Sequence, residues 1–259
     1  MNIVVLMKQV PDTEGNRTLD PADKTINRSA VDPVINYIDE FAIEEGIRLK
    51  EAHGGEVTIL TVGPEQATVS IRKALSMGAD KAVHVSDPAL HGACAIQTAK
   101  VLAKALGTLE WDVAVAGSEA TDSRMSVLPA LVAEALDRPQ LTHARKVTVD
   151  GASVTIERVT DSGYEVAQGA TPTVISVVEK INEPRYPSFK GIMAAKSKPI
   201  QTVSIADLGI DAGEVGLASA TTQVVSFENA PPRQAGQTIK DDGDGAVQIA
   251  DYLASKKLI

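Results

Sequence analysis

Four short apolar runs, each leading into helical sequence, constrain this chain most. Ile3-Val4-Val5-Leu6-Met7 is a continuous apolar run and Val57-Thr58-Ile59-Leu60-Thr61-Val62 a second buried one, while Lys81 to Val85 and Trp111 to Ala116 read as a third and a fourth strand. Apolarity without in-and-out alternation predicts strands covered on both faces, the condition of a parallel sheet. Segments of helical period follow. Ile38, Ala42, Gly46 and Leu49 share one face of a helix from about Asn36 to His53, stopped by Gly54-Gly55. Ala67, Ile71, Ala74 and Leu75 face inward on a helix that starts after Pro64 and ends at Gly78. Ile96, Ala99, Ala103 and Leu106 do so on a helix from about His91 to Leu106. The segment from Gly117 to Ser126 reads as a loop or a helix entry, with a helix continuing to about Leu136. The fold class expected is α/β: a parallel sheet with helices on both faces. Such sheets take ligands beyond the carboxyl ends of their strands, where the strand order reverses.

The texture changes after Leu136. Val147 to Ile156 predicts a hairpin turning at Asp150-Gly151, and Thr173 to Val178 another strand. These form either an antiparallel extension of the same domain or a small layer beside it. Patterns weaken from about Pro199. Ala230-Pro231-Pro232-Arg233-Gln234-Ala235-Gly236 has linker composition, Asp241 to Gly245 is acidic, and Ala246 to Lys257 predicts a final helix. The expected division is an α/β domain over 1–225 and a C-terminal arm over 226–259 that docks on a partner. The polar stretch from Gln9 to about Pro33 is too long for a plain connection and reads as functional or partner-packed.

Composition excludes several functions. A net charge of −9 argues against general nucleic-acid binding. The single cysteine, Cys94, allows no intramolecular disulfide and no thiolate cluster. The histidines His53, His84, His91 and His143 lack metal spacing, and the His91/Cys94 pair reads as structural, so no metal site is expected. No apolar stretch approaches the roughly 20 residues needed to span a bilayer. The N-terminus shows neither a signal nor a transit pattern, and the expected location is the cytoplasm. Neither G-x-x-x-x-G-K-[ST] nor G-x-G-x-x-G occurs. No catalytic residue is assigned.

Three features carry candidate chemistry. The segment Gly117-Ser118-Glu119-Ala120-Thr121-Asp122-Ser123-Arg124-Met125-Ser126 follows a buried strand. Its small and hydroxyl residues and helix-start amides suit an anion, with Arg124 adding charge; equally, Thr121, Asp122 and Ser123 are helix caps. Leu6 and Val62, at the ends of two strands, suit a flat ring, with Asn36 to Asp39 adding polar contacts. Phe189, Ile192 and Met193, in a proline-bracketed run, either close over the chain's own core or anchor a partner.

Over nearly its whole length the chain resembles the β subunits of electron-transfer flavoproteins. The resemblance rests on Val4 to Asp12, Glu40 to Glu51, Val62-Gly63-Pro64, Arg72 to Asp80, the Gly117 to Ser126 loop, Asn182-Glu183-Pro184-Arg185-Tyr186, and Arg158 to Ser176 with Asp161, Gly163, Glu165 and Pro172 in place. It implies a Rossmann-like, adenine-nucleotide-hydrolase-like fold and a role as an electron carrier without catalysis of its own. It implies pairing with a larger α subunit that holds most of the FAD, and one structural AMP in the β subunit. It further implies docking to acyl-CoA or related dehydrogenases, with electrons passed on to a membrane quinone oxidoreductase. Carried over to this chain, AMP falls to Leu6, Asn36, Asp39, Val62, Ala120, Asp122, Ser123, Arg124 and Ser126, and the dehydrogenase to Glu165, Phe189, Ile192 and Met193. The chain departs from many relatives after Asp122. It reads Ser123-Arg124-Met125-Ser126-Val127-Leu128, one residue short before Pro129 and without the usual glutamine, and Thr13 stands where some relatives have tyrosine. Two other readings are weighed beside this one: a bifurcating form with a second FAD in place of AMP, and a stand-alone adenine-nucleotide-binding regulator.

Overall fold

β1 (Asn2–Leu6) is the hinge of the architecture, because its side chains alternate between two cores. Ile3 and Val5 enter one, with Phe41, Ile43, Ile47, Ile59, Ile71 and Leu75. Val4 and Leu6 enter the other, with Leu60, Val83, Val85, Leu102, Leu106 and Ile205. A strand that feeds two cores needs apolar side chains at every position, which is why the run is continuous. The computed structural model describes residues 1–232, 236 and 238–259, in two compact units, Met1–Val225 and Ser226–Ile259.

Along the first unit, β2 (Gln9–Pro11) and β3 (Pro33–Ile35) form an antiparallel ribbon. The long polar stretch between them is therefore closed at its base by Gln9↔Ile35 and Pro11↔Pro33 pairing. Next come α1 (Tyr37–His53), β4 (Glu56–Val62), α2 (Thr68–Met77), β5 (Lys81–Val85), α3 (Ala95–Leu106), β6 (Val113–Gly117) and α4 (Leu128–Ala135). β7 (Gln140–Asp150), β8 (Ser153–Thr160), β9 (Gly163–Ala170), β10 (Thr173–Val177), α5 (Phe189–Ala195) and β11 (Ile200–Val203) complete it.

One nine-stranded sheet runs β11-β5-β4-β1-β6-β10-β7-β8-β9. From β11 to β7 every pairing is parallel, and β7, β8 and β9 pair antiparallel. The α/β class with an antiparallel extension is thus the observed one. β4 lies on one side of β1 and β6 on the other, so the order reverses at β1, and a crevice is expected beyond Leu6 and Gly117. Gly46 lets α1 lie against β1, since a Cβ there would come within 2.7 Å of Val5 Cγ2.

Several expectations need correction. The Thr173 strand belongs to the parallel part, between β6 and β7, and only β7 to β9 are antiparallel. β11 closes the opposite edge, within the stretch whose pattern weakens. α3 starts at Ala95, after Gly92 at φ +73°, later than the expected His91, and Ile96 is 44% exposed; Val101, Leu102 and Ala105 take the inward face with Ala99 and Leu106. Residues 118–127 are a turn-containing loop, so Thr121, Asp122 and Ser123 cap no helix and offer no helix-start amides.

In the second unit α6 (Gly245–Ser255) follows a turn in which Asp241 Oδ1 accepts from the amides of Gly243 and Gly245, at 3.0 and 3.1 Å. Val247, Ile249 and Tyr252 on it are exposed. Arg233 to Ala235 of the expected linker lie outside the described residues.

Candidate functional site: a crevice at the sheet switch point

The end of β1, the start of α1 and the loop after β6 are joined by a short set of hydrogen bonds. Asn36, just ahead of α1, donates Nδ2 to Asp39 Oδ1 at 2.9 Å and to the Glu119 carbonyl at 2.8 Å, and accepts from the Thr121 amide at 3.0 Å. The Lys8 amide donates to Asp39 Oδ2 at 2.7 Å. Gly117 makes this approach possible, because a Cβ there would fall well inside contact distance of Asp39 Oδ1. Asp39 is buried. Loss of hydration pushes its carboxyl up to about 7, against the pull of Asn36 and Lys8.

Asp122 is held differently. Its carboxylate accepts from Lys8 Nζ at 2.8 Å and from Arg28 Nη2 at 2.9 Å, and its side chain is 2% exposed. Burial alone would raise its pKa, but the two cations outweigh burial and hold it below the ordinary carboxylate range. Arg28 reaches Asp122 from the long polar stretch, and from the same stretch Arg17 Nη1 donates to the Thr121 carbonyl at 2.6 Å. The amides of Ser123 and Arg124 turn back to the Ala120 carbonyl. Glu119 accepts from Arg124 Nη1 and from Ser126 Oγ, both at 3.0 Å, and both donors have left-handed backbone, φ +47° and +54°.

The structure therefore gathers Asn36, Asp39, Ala120, Asp122, Ser123, Arg124 and Ser126 at one place. Leu6 is buried in the core and Val62 packs, partly buried, at the edge of the same core, so neither side chain is joined to this set by a hydrogen bond. Sequence reading passed over Lys8, Arg17, Arg28 and Glu119. A pocket of about 300 Å³ opens between the two segments, lined by Arg17, Thr18, Leu19, Ile26 and residues 121–124. The buried Thr121 hydroxyl has no hydrogen-bond partner. Cationic side chains, hydroxyls and an apolar wall are the donor set a sugar phosphate needs, so the residues fit a mononucleotide.

The second group lies elsewhere. Phe189 is 80% exposed at the start of α5, and Ile192 and Met193 are about half exposed on the same helix, so none of them closes the chain's own core. Ser188 caps the helix by accepting from the Gly191 amide at 3.0 Å. Arg185 fixes the approach to it by bonding Glu44 and Glu51 of α1, and Asn182 donates to the Phe41 carbonyl and to Glu45. Glu165 is on the edge strand β9, opposite Arg158, apart in sequence and sheet position from α5. Glu165 and α5 are not bonded to one another.

Fold and crevice define a parallel α/β protein with a nucleotide-type site at its switch point and, elsewhere on the molecule, an exposed apolar helix. Residues 23–208 match the model of the electron transfer flavoprotein domain. The chain is 50% identical to the electron transfer flavoprotein subunit beta of Mycobacterium leprae, covering all of this chain and 99% of the relative. It is 40% identical to the subunit of that name from Thermoanaerobacterium thermosaccharolyticum, over the full length of both. It is 33% identical to the caffeyl-CoA reductase-Etf complex subunit CarD of Acetobacterium woodii, over 99% and 97% of the two chains. The chain belongs to the electron transfer flavoprotein β-subunit family. Membership makes it an electron-carrier component associated with a flavin and an α subunit. No helix among the described residues is long and apolar enough to cross a membrane.

Proposed function

We propose that this chain pairs with its α subunit, holds one AMP in the switch-point crevice, supports FAD carried mainly by that partner, and docks acyl-CoA-type dehydrogenases. The AMP reading rests on the convergence of Asn36, Asp39 and the 119–126 loop at the ends of β1 and β6, where such sheets place nucleotides. The docking reading rests on Phe189, a large aromatic held out in solvent on a helix that is itself firmly anchored. Glu165, Ile192 and Met193 complete the docking set. The second unit, 226–259, is the arm that lies on the α subunit, with Val247, Ile249 and Tyr252 as its contact side chains. Electrons pass onward to a membrane quinone oxidoreductase, and the complex works in the cytoplasm.

Flavin redox chemistry belongs to the cofactor when bound. This chain binds, orients and excludes water, and no residue of its own acts as acid, base or nucleophile. The test is the cofactor count after co-expression with the α subunit. One AMP per FAD in a yellow heterodimer is the expected result. Two FAD and no AMP selects the bifurcating reading, and a colourless nucleotide-binding homodimer selects the stand-alone regulator.

A further inference from the structure

The pocket between the long polar stretch and the 121–124 turn is built from segments about a hundred residues apart, and it is pinned twice. Arg17 bonds the Thr121 carbonyl, and Arg28 bonds the buried Asp122 carboxylate. The stretch is itself folded: Leu19 bridges Ile26, the Asn27 amide donates to the Thr18 carbonyl at 2.9 Å, and the Asp20 amide to the Thr25 carbonyl at 2.7 Å. Arg17 is thereby held at a defined place beside Arg124. Each arginine engages one terminal nitrogen, and its remaining N–H donors carry no protein hydrogen bond among the described residues.

The charge count points the same way. Lys8 and Arg28 pair with Asp122 and Arg124 pairs with Glu119, while Arg17 adds a cation with no carboxylate partner among the described residues, in a chain of net charge −9. A phosphomonoester carries about −2 near neutral pH and offers three acceptor oxygens. Two guanidinium forks are the side chains best matched to it. A pocket of about 300 Å³ is at the small end of ligand sites, with room for one phosphate and its sugar.

We infer that Arg17 and Arg124 together bind the phosphate of the mononucleotide, so that the long polar stretch completes the site by supplying Arg17. The inference rests on the AMP reading above and adds its polarity: phosphate towards Arg17 and Arg124, on the side of residues 17–26.

The experiment is calorimetric titration of the full chain with AMP and, separately, with adenosine, which lacks the phosphate. Wild type is expected to prefer AMP. Arg17→Ala should weaken AMP binding about tenfold or more, the loss of one charge-assisted contact, and leave adenosine unchanged. Arg17→Lys, which keeps the charge and loses the fork, should fall between the two. Arg17 is exposed, so folding is not at stake, and circular dichroism checks this. Unchanged AMP affinity in Arg17→Ala, or equal losses for AMP and adenosine, overturns the phosphate assignment and leaves the AMP reading standing. A wild-type chain that binds neither ligand overturns both.

Discussion

Arg185 donates from Nε and Nη2 to both carboxylate oxygens of Glu44, at 2.8 and 2.9 Å, and ties the docking segment to the middle of α1. The Glu44 side chain is 6% exposed, and Glu51 supplies a second carboxylate that, with Glu44, raises the Arg185 pKa further. The same helix begins at the crevice with Asn36 and Asp39, so one rigid element positions both the nucleotide site and the docking segment.

Arg185→Ala strands the Glu44 carboxylate in a nearly dry place. Arg185 is about a third exposed, so solvent screens part of the interaction and the cost falls below the roughly 3–5 kcal/mol of a fully buried broken pair, to about 2 kcal/mol. For a chain of this size that lowers the melting temperature by about 4–8 °C in a thermal unfolding scan. Arg185→Lys keeps the charge but cannot make the paired contact, and should lose about half as much.

Asp39 gives the protein a distinctive pH dependence. Its carboxyl rises from 3.8 to about 7 on folding, so between those values the native state holds a proton that the unfolded chain lacks. The slope of stability against pH is then negative, by up to about 1.4 kcal/mol per pH unit. Stability contributed by this group is fully present below pH 4 and is lost as pH rises through about 7. His84 works the other way, since burial lowers its pKa and favours folding as pH rises to 6.5. Denaturation of wild type and Asp39→Asn from pH 5 to 8 separates the two. The variant should lose the falling slope and, near pH 5, be weaker by about 1–3 kcal/mol, because its amide group replaces one acceptor for the Lys8 or Gly117 amide.

Gly117→Ala places a methyl group against Asp39 and the start of α1. The helix start must shift, at a cost of about 2 kcal/mol, within the range for overpacking. Asn36 would lose its reach to Glu119 and Thr121. Chemical denaturation combined with AMP titration should show both losses together.

Much of this was legible in the sequence, and for identifiable reasons. Ile3 to Leu6 announces a doubly buried strand because every position must be apolar. β9 does not announce itself, since Gly163-Tyr164-Glu165-Val166-Ala167-Gln168-Gly169-Ala170 is an exposed edge with few packing demands. β11 has four residues and one neighbouring strand. The polar half of the crevice was hidden because Lys8 and Arg28 meet Asp122 across 114 and 94 residues, a pairing that no local pattern encodes. Whether residues 118–127 were loop or helix entry stayed open in the sequence because Thr, Asp and Ser serve equally well in turns and in caps, and the structure makes them a loop.

The most direct test of the account concerns Phe189 in the assembled flavoprotein. Phe189→Ala removes an exposed ring, so stability should stay within about 0.5 kcal/mol of wild type and the cofactor content should not change. Stopped-flow reduction of the flavin by an acyl-CoA dehydrogenase with its substrate should slow about tenfold or more, while reduction by dithionite keeps its wild-type rate. Equal rates of reduction by the dehydrogenase in the two proteins would contradict the docking role assigned to this chain.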